Sequence, residues 1–312
     1  MESMLVAIAV ILPLCVMMAS GYVMRKCGVL DDHANTLINK LIYRLFLPML
    51  LFWNSYSSNL ATDFDIWLVL FCVIGVLVIF FASIPLANKS EQTPERRSVF
   101  VQGILRSNIT MFGLPVMTLL YAQTGSSIIS ILLVFVIPLL NILGVLIFEI
   151  YCAKQVNWYV VAFRILKNPL IIALVLGILA NLLHISIMDS VLVSIKSMGS
   201  VVTPLAFVNL GGSMKLASIS KNWRTLSKMV PARILICPLV MVGAGIILGW
   251  RNEALASILL MFGCPTAVAS IAFTQELGGD VELASDQVLF STVLSVLTVF
   301  LFIFVLKLTG MI

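Results

Sequence analysis

The residues able to do chemistry are few, and they gather at two interruptions in otherwise apolar stretches. Arg106-Ser107-Asn108 sets a guanidinium, a hydroxyl and a carboxamide side by side, and Pro265-Thr266 sets a hydroxyl behind a proline. These groups donate hydrogen bonds at neutral pH, a set suited to holding an anion rather than to nucleophilic or metal chemistry. Asn141, Asn209 and Gln275 are further polar candidates, each with a helix-to-helix hydrogen bond as the competing reading. Enzyme signatures are missing: there is no HExxH, no P-loop and no aspartate pair in a GxGD context, and Gly278-Gly279-Asp280 reads as a loop. The six cysteines form no CxxC pair and read as packing. His33 and His184 sit near span ends, which argues against a buried histidine relay.

Composition says what must position these residues. Of 312 residues 61% are hydrophobic and 11% charged, and the mean hydropathy is +1.12. Too few polar residues remain to cover a soluble globule, so the chain is expected to be an all-α integral membrane protein. A membrane β-barrel is excluded because the apolar runs are long and do not alternate. The net charge of +5 does not point to nucleic acid, because the basic residues are scattered over short loops. Four residues, with Glu2 in place of a basic region, precede the first apolar run, so that span is expected to be retained.

At about 20 residues per span, ten spans are expected: 5–24, 34–55, 66–86, 98–121, 126–151, 168–185, 191–212, 226–249, 253–275 and 286–310. Of the 19 lysines and arginines, twelve fall on the side reached by the loops after odd-numbered spans, and two, Arg251 and Lys307, fall opposite. The positive-inside bias then places both termini outside the cytoplasm. Lys40, Arg44, Arg106, Lys196 and Arg233 lie within spans. A division near Trp158 gives halves of five spans, 1–157 and 158–312, and an odd number per half is the arithmetic of an inverted repeat.

Pro265 breaks the ninth span, releasing carbonyls that lipid cannot satisfy; such a break survives only in protein or beside water. Its counterpart, the fourth span, carries Met111-Phe112-Gly113-Leu114-Pro115, an echo of Met261 to Pro265. Depth selects a different partner. Asn108 lies about 15 Å in, Pro115 about 26 Å and Pro265 about 18 Å from the other face, at 1.5 Å per residue. Ser107-Asn108 is therefore expected beside Pro265-Thr266. Helix N-termini exposed at such breaks favour anions.

Arg106-Ser107-Asn108 with Gly113-Leu114-Pro115, Asn168-Pro169-Leu170, Pro265-Thr266-Ala267, Glu276 to Asp280 and Ser291-Thr292, in that order, resemble the auxin efflux carrier family over essentially the whole chain. The resemblance implies a ten-helix fold shared with bile-acid sodium symporters, with broken fourth and ninth helices crossing at the membrane centre. It implies a scaffold of helices 1, 2, 6 and 7, usually dimeric, against which helices 3–5 and 8–10 move as a transport unit. The positions that would meet a substrate carboxylate are Asn108 and Thr266. The plant carriers have proline where this chain has Ser107, and their third helix carries ionisable residues where 69–81 here has none.

The expectation is a secondary transporter for a small organic anion, carboxylate or dicarboxylate, with the lipid bilayer and a second copy as partners and no cofactor. A sodium-coupled symporter, a receptor or a channel are the alternatives, and the coupling ion, Na+ or H+, stays open. Arg106 either attracts the anion, pairs with Glu149 or Asp286, or reaches to the cytoplasmic face.

Overall fold

A computed structural model describes residues 13, 16–57, 65–152, 167–213 and 216–312. The beginning of the first expected span and the division at Trp158 lie outside the described residues. The elements are α1 (16–26), α2 (Asp32–Leu41, a π turn Ile42–Phe46, Leu47–Tyr56), α3 (Ile66–Ser90), α4 (Pro94–Leu105), a π turn Ile109–Gly113 leading into α5 (Leu114–Cys152), and α6 (Pro169–Leu182). Then follow α7 (Asp189–Ser200 and Val202–Ser213), α8 (Leu216–Pro231, a π turn Ala232–Ile236, Cys237–Ile247), α9 (Asn252–Gly263), α10 (Ala269–Glu276) and α11 (Val281–Leu308). Six of the described helices are long and apolar enough to cross a membrane, and two shorter ones, α6 and α9, are also apolar.

Local chemistry explains the starts and stops. Asp31, Asp65, Asn168 and Asp280 cap α2, α3, α6 and α11 by accepting from backbone N–H groups of the first turn. Asn168-Pro169-Leu170 is thus a cap, a first-turn proline and a capped N–H, with Asn168 Oδ1 2.9 Å from Leu170 N. Glu276 to Asp280 closes α10 and opens α11. Gly278 takes φ +83°, Gly279 donates to Thr274 O at 2.8 Å, and Asp280 caps the next helix.

The π turns follow the prolines. A proline lacks the N–H that would reach the carbonyl four residues back and its ring crowds that carbonyl. The turns Ile42–Phe46 and Ala232–Ile236 are centred on Arg44 and Ile234, four residues before Pro48 and Pro238. α7 is likewise interrupted at Val201, three residues before Pro204.

Three helices differ from the expected spans. α8 and α11 begin ten and five residues earlier than the apolar runs, because their first turns are polar but still helical. Helical bonding runs through α5 for 39 residues, where two spans were expected. The turn expected at 122–125 contains no proline to stop it. Yet Thr110 and Ile137 line one cavity, while a straight helix would part them by about 40 Å. The run therefore bends back on itself.

Packing divides into two cores. One gathers side chains from α3, α4, α5, α8, α9 and α11 around Phe100, Phe112, Phe148 and Phe262. The other gathers Ile42, Leu47, Leu174, Phe207 and Leu210 of α2, α6 and α7 with Phe273 of α10. Within the second, backbones touch. A Cβ on Gly21 would lie 1.8 Å from Val208 O, and one on Gly211 1.9 Å from Met18 O, so α1 and α7 meet glycine to glycine. A Cβ on Gly177 of α6 would lie 2.6 Å from Phe52 O of α2.

Candidate functional site

The two interrupted stretches meet. Ser107 and Thr266 face each other in an isolated antiparallel bridge. Asn108 N donates to Pro265 O at 2.8 Å, and Ala267 N to Arg106 O at 3.0 Å. No proline forces the break at Ser107. The backbone there is extended because each strand of the bridge gives the other the hydrogen bonds that a helix would have supplied.

Beside the bridge is an open cavity, with about 620 Å³ of empty space when the solvent at its mouth is counted. Its floor is Arg106–Thr110 and Ala267–Ala269; its walls include Leu47, Leu51 and Asn54 of α2, Asn141 of α5 and Thr203 of α7. Ile109 and Ala269 begin the helical segments after the two breaks, so two helix starts, with their positive dipole ends, border the same space.

Arg106 is 7% exposed. Its Nη2 donates to Asn141 Oδ1 at 3.1 Å, and its guanidinium carbon lies 3.8 Å from the centre of the Phe273 ring. Asn141 is fixed by its own bond to Ile137 O, 2.8 Å. No salt bridge joins Arg106 to a carboxylate among the described residues, and Asp286 accepts from Asn222 instead. Arg106, Ser107 and Asn108 line this cavity, and each carries a buried donor with no partner among the described residues: Arg106 Nη1, Ser107 Oγ and Asn108 Nδ2. A buried donor without an acceptor is costly. Donors of this kind suit an anion, which offers only acceptors.

The other sequence candidates lie elsewhere. Thr266, 1% exposed, donates its hydroxyl to Gly103 O at 2.7 Å, and its N–H bonds to Ser291 Oγ at 3.0 Å. Pro265 contributes its carbonyl to the bridge. Asn209 and Gln275 join a ladder between helices. Asn209 Nδ2 donates to Asn39 Oδ1 at 2.9 Å, Asn39 Nδ2 to Gln275 Oε1 at 2.8 Å, and Gln275 Nε2 to Thr36 O at 3.0 Å. Beside it Arg44 pairs with Glu276. Asn39 escaped the sequence reading, although Asn35, Asn39 and Tyr43 recur every four residues on one face of α2, a legible polar stripe.

At the other end of α4 a second network forms. Arg96 bonds Glu91 at 2.7 Å, Asp280 at 2.9 Å, and Asn222 and Thr225 at 3.0 Å each. It ties the starts of α4 and α11 to α8.

Comparison with known proteins bears on what such a cavity does. A family model described as a membrane transport protein matches residues 6–303. An uncharacterized transporter of Methanothermobacter thermautotrophicus is 23% identical over 296 residues, 92% of this chain and 94% of the relative.

Proposed function

The chain belongs to the membrane transport protein family, the auxin efflux carriers, and we propose that this membrane transporter is a secondary carrier of small organic anions. It is a transporter and not an enzyme. The observation that carries the anion reading is that three successive residues lining one cavity each hold a donor with no partner among the described residues, Arg106 Nη1, Ser107 Oγ and Asn108 Nδ2. A carboxylate offers four lone-pair sites in a plane, and the two adjacent helix starts favour the same charge.

In this reading the joined breaks are a crossover of the fourth and ninth helices of a ten-helix inverted repeat, 1–157 and 158–312. The first core belongs to a transport unit of helices 3–5 and 8–10, the second packs that unit's Phe273 against a scaffold of helices 1, 2, 6 and 7, and the carrier is a homodimer through the scaffold. Glycine-to-backbone contacts in one core favour a rigid scaffold; side-chain bonds between Asn39 and Gln275 and between Arg44 and Glu276 are contacts that can be exchanged. The charge bias puts the Asp32 end of α2 inside. The cavity wall reaches Asn54 at the opposite end, so the site faces outward and the polar ladder closes it inward. Movement of the transport unit would break the ladder and present the anion to the other side, an elevator-type alternating access.

A thermal-shift screen of the purified protein tests the anion reading. Carboxylates such as malate, succinate or indole-3-acetate are expected to raise the melting temperature, and uptake of the stabilising compound into proteoliposomes should follow. Stabilisation by neutral or cationic analogues alone would reject it.

A further inference from the structure

We propose that Arg233 is a tethered cation that neutralises the negative ends of both interrupted helices, so that the crossover needs no inorganic cation and its positive ends alone set the cavity's charge. Arg233 is 1% exposed and issues from the π turn of α8. Its Nε donates to Cys264 O at 2.9 Å, Nη1 to Ile104 O at 3.0 Å and Nη2 to Met261 O at 3.3 Å. Each acceptor is a carbonyl orphaned by a break. Met261 O would be bonded from residue 265, but Pro265 has no N–H. Ile104 O would be bonded from residue 108, but Asn108 N donates to Pro265 O. Cys264 lies just beyond the end of α9.

Free carbonyls at helix C-termini carry a partial negative charge and attract cations. Two such ends, from α4 and α9, converge here, which is the donor set of a cation site made of backbone oxygens alone. The guanidinium fills it, with planar donors matched to several acceptors. No carboxylate is paired with Arg233, and no cluster of three metal-ligating side chains occurs, among the described residues. Arg233 therefore has the carbonyls as its compensation. It lines a small void beside Leu105, Met261 and Ser107, and Ser107 also lines the main cavity. The negative helix ends are thus neutralised beside Ser107, while the positive starts border the cavity that Ser107 also lines. The neutralisation stands by itself; its effect on the cavity rests on the anion reading.

The test compares wild type with Arg233→Ala, Arg233→Gln and Arg233→Lys, purified in detergent. Melting temperatures are measured in choline, sodium and guanidinium chlorides at equal, sub-denaturing concentration. Wild type and the Lys variant should give the same value in choline and sodium. The Ala and Gln variants should melt lower in choline and regain part of the loss in guanidinium or sodium. An unchanged melting temperature in choline, or a loss identical in all three salts, overturns the proposal. If the Ala variant does not fold, the Gln and Lys pair decides, since only removal of charge should create a salt response and equal responses reject the idea. Malate binding is the second arm: Gln should weaken it roughly tenfold and Lys should preserve it. Equal malate affinity in wild type and Gln variant removes the effect on the cavity. If wild type binds no carboxylate, the anion reading fails, the cavity effect falls with it, and the salt response alone judges the clamp.

Discussion

Arg106 Nη2 meets Asn141 Oδ1 at 3.1 Å, a bond that anchors half of the guanidinium and leaves Nη1 without a partner among the described residues. A buried cation with an unfilled donor destabilises the empty protein and suits one that must receive an anion. Arg106→Gln is therefore expected to hold or raise the melting temperature of the empty carrier while weakening carboxylate binding by about 10- to 100-fold, the worth of a charged hydrogen bond. Thermal shift with and without ligand reads both numbers from one sample. Equal loss of stability and affinity would mean that Arg106 is a structural residue.

Asn108 supplies the neighbouring amide, and its backbone is held by the bridge whatever its side chain. Asn108→Ala should fold and insert normally yet bind carboxylates roughly tenfold more weakly. Asn108→Asp should be worse, because it sets a negative charge against the incoming one. Normal uptake by the Ala variant would take Asn108 out of the site.

These predictions rest on a site that was partly legible in the sequence. Pro265 announced its break by chemistry, and helix rise alone set Asn108 beside it, at the depth where Asn108 N and Pro265 O now bond. The break at Ser107 could not be read from local residues, because the force that opens it is the partner strand. The resemblance implies that Thr266 meets a carboxylate, and in this structure its hydroxyl bonds Gly103 O, since a threonine's direction depends on which carbonyls the other break has freed. Helix bounds depart from the apolar runs where polarity and helicity part company, at the starts of α8 and α11 and along α5. Arg233 was visible only as a charge within a span; its role comes from carbonyls more than twenty residues away in sequence.

The Arg96 network makes a prediction about stability. Glu91 is buried against Arg96 and Thr225, so Arg96→Met leaves a carboxylate without its cation and should cost about 3 kcal/mol. Adding Glu91→Gln should return most of that loss. A double variant as unstable as the sum of the two singles, in thermal melts, would show that the two side chains act independently.

Gly21 and Gly211 bring the backbones of α1 and α7 into contact, and a Cβ at either would overlap a carbonyl oxygen. Neither acceptor is a flexible side chain that can move aside. Gly21→Ala or Gly211→Ala should therefore separate the helices and cost about 3 kcal/mol or more, at the upper end for overpacking. Gly243, where a Cβ would meet nothing within 4 Å, is the control: alanine there should be neutral or mildly stabilising. Similar melts for all three variants would remove the close contact as an element of the scaffold.

The ladder between α2, α7 and α10 bears on movement. Arg44 is 67% exposed in its pair with Glu276, so that contact is worth at most about 1 kcal/mol. Asn39 and Gln275 are better shielded, and breaking their two bonds without replacement would cost roughly 1–3 kcal/mol. If the ladder closes the inner side, Gln275→Leu should favour the inward-facing state by about 5- to 100-fold, since a population shifts by the differential energy of the two states. A cysteine placed at Thr203, on the cavity wall, reports this through a membrane-impermeant maleimide. In sealed vesicles of known orientation, labelling from the outer side should fall and labelling from the cytoplasmic side should rise when Gln275 is replaced. Arg44→Ala should move the balance in the same direction by a smaller factor. Unchanged labelling from both sides in the Gln275 variant would show that Asn39 and Gln275 do not hold the carrier closed, and movement against the scaffold would then need a different latch.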